Sequence, residues 1–420
     1  MLLHFYVAHP LFSSGLFRWF SNACGARSRF STIADNAMQI DRNYTLETLA
    51  RLVRINSINP TLVPGAPGEK EIATFIAGSL RARGLAVEIL EPVPGRTSVL
   101  GRLAGTGGGR SLMLNAHCDT VDVQGMAEPF SGATRDGKLY GRGAYDMKGS
   151  LAACMAAVKA LKDAGARLRG DVLVAAVADE EYASLGTADM LKRVKVDGAI
   201  VTEPTALEVC LAHKGYLWIE VETVGRAAHG SRFELGIDAN MKMGRFLARL
   251  GDLERDLRSR PPHPLVGPPS LHAALLKGGA GLSTYAPSST VQIERRTVPG
   301  ETEAQATAEI QAIVDRLAGE DADFHATVRP FFARDPFEVP ASAPIVMAVD
   351  RAVACVRGCP AAHIGDTPWM DAALLQAAGV ETVVCGAAGA GAHSDMEWVD
   401  VESVVQLAEI LAEAAADYCG

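Results

Sequence analysis

Five apolar runs in this chain end abruptly in a histidine or a carboxylate, and a fold must place all five endings sensibly. The first is Leu112-Met113-Leu114-Asn115-Ala116, followed by His117-Cys118-Asp119. Side chains two apart on an extended strand share a face, so His117 and Asp119 are neighbours at the strand's carboxyl edge, either as a ligand with its orienting acid or as a buried, capping pair. The second passes from Tyr140 through Gly141, Gly143 and Tyr145 to Asp146, where an alanine-rich helical pattern follows; Asp146 suits a site residue and a helix N-cap equally. The third, Val172 to Ala178, meets Asp179-Glu180-Glu181, which is either a solvated acidic turn or a set of like charges awaiting a cation. The fourth ends in Glu203 and the fifth, Thr382 to Cys385, continues through a glycine-alanine loop to His393.

Runs of this kind without alternation are strands covered on both faces, and alternating with helices they predict a mixed, mostly parallel sheet with helices on both sides. Ligands of such α/β sheets gather at the carboxyl ends of the strands. His117, Asp146, Glu181, Glu203 and His393 supply two imidazoles and three carboxylates, a set that suits two zinc-type ions bridged by one carboxylate. Paired ions of this type share a water that serves as nucleophile.

With these motifs in this order, the chain from about Leu46 to its end resembles the dinuclear zinc deacylases and peptidases that include acetylornithine deacetylase, succinyl-diaminopimelate desuccinylase and carboxypeptidase G. The resemblance implies a zinc-peptidase-like catalytic domain in which His117 and Glu203 bind one Zn2+, Glu181 and His393 the other, and Asp146 bridges them. Co2+ or Mn2+ are alternative ions. It further implies Glu180 as general base and Asp119 as the acid that orients His117. Arg226-Ala227-Ala228-His229-Gly230-Ser231 resembles the stretch whose histidine, in dimeric members, reaches the other subunit's site and steadies the oxyanion. Arg296 matches an arginine that meets a substrate carboxylate, a task suited to a planar guanidinium. From the residues alone, His229 reads equally as a loop histidine and Arg296 as a surface strand arginine. Where many members carry asparagine three residues before a loop proline, this chain has Ser283-Thr284-Tyr285-Ala286-Pro287. The implied activity is hydrolysis of a small N-acyl amino acid; the alternatives are a di- or aminopeptidase and an inactive metal-binding homologue.

A change of texture near Gly215 divides the chain. Tyr216 to Val224 alternates as a half-exposed antiparallel strand does, and further strand and helix patterns follow to about residue 329. These predict an α+β insertion (215–329) within a catalytic domain made of 39–214 and 330–420. Its exposed strand edge is a candidate homodimer surface, consistent with a dimerisation or lid role.

At 420 residues the chain exceeds one ordinary core, and a net charge of -9 speaks against a nucleic-acid partner. The eight cysteines lack close-paired spacing, which points to reduced thiols and a cytoplasmic protein. Residues 1–38 hold Arg18, Arg27 and Arg29 and no acid before Asp35, and read as an organellar targeting segment or an upstream extension. Their apolar patches are too broken for a membrane span. Asp366 and Asp371 flank Trp369 in a segment that suits a pocket wall.

Overall fold

The computed structural model describes residues 38–420, so the reading of the leading segment lies outside the described residues but for Met38. Four strands, Val172–Val177, Leu112–His117, Gly198–Val201 and Glu381–Val384, lie side by side and parallel at the centre of a nine-stranded sheet. The first three are buried along their whole length, the reason their sequences run apolar without alternating. Antiparallel strands extend the sheet on both sides: Arg96–Leu103 and Ala86–Val93 beyond the first, Val209–His213 and Phe337–Glu338 beyond the last. His363–Asp366 pairs in parallel with Val209–His213.

The helix Gly149–Asp163 is buried on nearly every side, packed against Val401–Cys419 and Arg42–Arg54. Its alanines at 152, 153, 156, 157 and 160 let those neighbours approach closely. Leu185–Arg193 and Ala372–Ala377 form a second group that touches other parts of the sheet. Among the described residues no helix is long and apolar enough to cross a membrane.

A separate four-stranded antiparallel sheet is built from Gly215–Val224, Ser270–Gly278, Ser288–Thr297 and His325–Arg334. Alternation on Gly215–Val224 turns Leu217, Ile219 and Val221 into a core of their own with Phe246 and Ile310, from the helices Ala239–Ser259 and Glu303–Glu320. A capping box between Thr302 and Gln305 starts the second of these helices. The last strand runs to Arg334, past the expected 329. Pro330 reads as a strand end in sequence, yet this is an edge strand, where a missing N–H costs nothing. A Cβ on Gly215 would lie 2.5 Å from both the Arg334 carbonyl oxygen and the Pro336 nitrogen, so entry to the insertion and exit from it cross where only glycine fits.

Candidate metal centre

The parallel strands deliver their terminal residues to one place. His117 ends its strand buried, and its Nδ1–H donates to the main-chain carbonyl of Asp119 at 3.0 Å. A carbonyl only accepts, so Nδ1 carries the hydrogen and Nε2 is left for a ligand or ion. Nε2 lies 3.0 Å from Asp146 Oδ1 and 3.8 Å from Glu203 Oε1. On the other side of Asp146, His393 Nε2 lies 3.3 Å from Oδ2 and 3.0 Å from Glu181 Oε2. Two ligand sets result, His117 with Asp146 and Glu203, and Asp146 with Glu181 and His393, each with its donor atoms within 4.8 Å of one another. Asp146 is common to both.

The electrostatics call for cations. Burial, then the charge of Glu203, pushes the Glu180 carboxyl well above its usual range, and Glu181 and Glu203 are raised by burial and by Asp146. Burial would lower the His117 pKa, but Glu203 and Asp146 outweigh it and hold it high. Hydrogen bonds that the imidazolium donates to Asp146 and Glu181 lift His393 to about 10. Asp146 stays far below the usual carboxylate range despite burial, because both imidazoles bond to it. Dications in place of the protons so attracted satisfy every member of the cluster. The nitrogen and oxygen donors fit zinc-type ions without a thiolate; the nearby Cys118 directs its sulfur to the Val177 carbonyl instead.

Asp119 does more than face the His117 ring. Its carboxylate is 3.7 Å from Nδ1, farther than its own carbonyl, and accepts the backbone N–H of Glu180 at 3.1 Å and of Glu181 at 3.3 Å. Asn59 Nδ2 donates to both Asp119 and Asp179, at 2.8 and 3.0 Å. Arg96 then pairs with Asp179 at 2.8 Å and with Glu69 at 2.6 Å. On the opposite flank Glu397 accepts from the backbone of Gly143, Tyr145 and Asp146 and from the Arg142 guanidinium, fixing the turn that presents Asp146. The sequence reading named none of Asn59, Glu69, Arg96 and Glu397; Asn59 stands before Pro60 in a loop, and only its burial marks it.

A cavity of about 610 Å³ opens over the centre and is lined by Glu180, Glu181, Glu203 and His393 together with Arg296, Asp366 and Trp369. Arg296 therefore faces the site, with its Nε bonded to Glu294 at 2.5 Å and its guanidinium over the Tyr216 ring. Asp371 is buried beneath, its carboxyl raised to about 6 by desolvation. His229 is not brought to this centre: it is exposed in the insertion, where Nδ1 accepts from the Ser231 backbone at 3.2 Å.

A carboxylate left outside a bridged ligand set, yet facing the same cavity, is free to handle protons, and the class this defines is the metal-dependent hydrolase of amide or peptide bonds. Residues 113–417 match Peptidase family M20/M25/M40, and the chain belongs to that family. Among curated relatives, an N-formyl-4-amino-5-aminomethyl-2-methylpyrimidine deformylase of Bacillus subtilis is 29% identical, covering 89% of this chain and 95% of its own. An acetylornithine deacetylase of Proteus mirabilis is also 29% identical, over 71% of this chain and 75% of its own. The fold is shared with an aminopeptidase PepT of Bacillus cereus, at a TM-score of 0.75 and 18% identity, covering 91% of this chain and 100% of that one.

Proposed function

We propose that the chain hydrolyses the amide bond of a small N-acyl amine or amino acid, with Glu180 as general base beside two ions held by His117, Asp146, Glu181, Glu203 and His393. Zinc suits these donors best, with cobalt or manganese as substitutes. Formyl and acetyl groups in the names of the relatives support a small acyl half. The observation that carries the reading is Glu180. Asp119 pins its backbone N–H, while its carboxyl faces the cavity outside both ligand sets.

Bound ions polarise the amide carbonyl and ease deprotonation of water. Glu180 takes that proton on its carboxylate and returns it to the departing amine nitrogen, work suited to a carboxylate that faces the cavity outside both ligand sets. Asp119 keeps the base and the Glu181 ligand in register through their backbone amides. His229, with Nδ1 accepting, presents Nε2–H outward as a donor for an oxyanion. Its place on the insertion asks for a second copy, and the exposed edge strand Ser270–Gly278 supports a homodimer. The N-acyl amino acid version of the reading asks Arg296 to exchange Glu294 for a substrate carboxylate.

Glu180→Gln tests the assignment. Turnover of N-acyl substrates should fall about 10²–10⁴-fold with metal content unchanged, and turnover at the wild-type rate would overturn it.

A further inference from the structure

The wall of the cavity facing the carboxylates is aromatic, and its arginine is already paired. Tyr216 and Trp218 lie two apart on Gly215–Val224, so they share the face turned away from the insertion's core. Both line the cavity, as does Trp369, which arrives from the loop after His363–Asp366. Trp369 meets Tyr216 edge-on, centroids 6.3 Å apart at 85°, and its indole N–H donates to the Asp335 carbonyl at 3.1 Å. Its polar end is thus satisfied and Arg334 lies over its ring at 5.4 Å, so the surface it turns to the cavity is what remains for apolar contact. Behind them Phe332 packs against Trp218 at 5.0 Å and Arg334 lies over Phe332, its Nη2 donating to the Ala183 carbonyl at 2.8 Å.

Among the described residues the one arginine lining the cavity, Arg296, is paired with Glu294 beside it and lies over Tyr216 at 5.1 Å. Asp366 lines the same wall with a hydrogen bond from the Thr367 N–H and no cation bonded to it among the described residues. A carboxylate entering here meets two acids and one already paired guanidinium. A flat ring meets the cavity-facing surfaces of Trp218 and Trp369 beside Tyr216, whose ring already carries Arg296 and Phe332, and a basic ring nitrogen gains Asp366 as well.

We propose that the amine half of the substrate is a planar aromatic or basic heteroaromatic ring without a carboxylate, held against Tyr216, Trp218 and Trp369 while its amide reaches Glu180. This rests on the amide-hydrolase reading above and narrows its substrate class; the named substrate of the deformylase relative is one member of that class.

The test uses the full chain loaded with zinc, as wild type and as Glu180→Gln. The probes are N-formylbenzylamine, N-formyl-4-pyridylmethylamine and N-acetylornithine. Binding to Glu180→Gln is read by tryptophan fluorescence and turnover by amine release from the wild type. The ring-bearing amides should bind and turn over at least about tenfold better than N-acetylornithine, with quenching on binding. Trp218→Ala and Trp369→Ala should each shrink that preference by about tenfold, and Trp218→Phe should restore most of it if the alanine variant fails to fold. Preferred turnover of N-acetylornithine, abolished by Arg296→Ala, would overturn the inference and leave amide hydrolysis standing. Ring binding with quenching, but no hydrolysis of any of the three amides, would overturn the hydrolase reading instead.

Discussion

The two halves of the candidate metal centre share Asp146 and little else. His117 is 1% exposed, whereas His393 is 55% exposed on the loop after Gly391, with its backbone in the left-handed region at φ 59°. The His117 ring is fixed through both nitrogens, by the Asp119 carbonyl and by Asp146. Behind it lies the buried chain of Asn59, Asp179, Arg96 and Glu69. Among the described residues the His393 imidazole pairs with carboxylates of the centre itself, Asp146 and Glu181. One half is thus shaped by the folded core, and the other is completed by an exposed histidine that lines the cavity.

The sharpest way to break this contrast is to remove one histidine at a time. On the two-ion proposal, His393→Ala should leave a protein that keeps one ion of the two and loses nearly all turnover. His117→Ala should lose both, because Asp146, common to the two ligand sets, then loses the imidazole that holds its Oδ1, and the buried Glu203 loses its only neighbouring imidazole in that set. Metal content after gel filtration decides it: two ions retained in His393→Ala, or none, would show that the halves do not differ as described.

The core side is tested by Arg96→Met. Glu69 and Asp179 are both fully buried, and desolvation already raises Glu69, a rise that Arg96 opposes. Removing the shared cation should cost about 3–5 kcal/mol of stability, read from urea unfolding of the metal-free protein. A loss below about 1 kcal/mol would mean that the buried network holds nothing in place.

A buried histidine away from the centre gives a pH version of the same contrast. His213 stacks on Phe337 and donates Nδ1–H to the Lys214 carbonyl, and burial depresses its pKa from 6.5 to about 4. The folded state therefore binds fewer protons than the unfolded chain between these values. Its contribution is complete above pH 6.5 and drains away as pH falls toward 4, about 3 kcal/mol in all. His213→Leu should flatten the stability slope in that window and leave it unchanged above pH 7 or so. An equal slope in the variant would place the acid sensitivity elsewhere.

How much of this was legible depended on whether a residue sat at the end of a periodic run. His117, Glu181, Glu203 and His393 follow uninterrupted apolar strands, and the parallel register of those strands is what gathers them. The long elements of the insertion were equally plain from alternation and helical spacing. Glu397, by contrast, sits between two- and three-residue strands, too short to carry a period, and bonds to backbone some 250 positions away. Arg96 and Glu69 look like ordinary surface charges in sequence; only folding reveals that neither reaches solvent. The pairing of Arg296 with Glu294 follows from strand spacing, since residues two apart share a face, but that it faces the cavity required the sheet's placement over the centre.

The smallest effect isolates burial from geometry. Arg42 meets Glu402 at 2.6 Å, the same separation as Arg96 and Glu69, but these side chains are 50% and 56% exposed, against 5% and 0% for the buried pair. In water an ion pair of this length is worth about 0.2–1 kcal/mol. Arg42 is also the first residue of the helix Arg42–Arg54, where a cation opposes the helix dipole by about 0.3–1 kcal/mol. The two contributions have opposite signs, so Arg42→Ala should move the urea midpoint by less than about 0.5 kcal/mol equivalent. Added salt should shift wild type and variant alike, because screening weakens the pair and the dipole term together. If Arg42→Ala instead cost as much as Arg96→Met, contact distance rather than burial would govern these pairs, and the buried half of the centre would owe nothing to its burial.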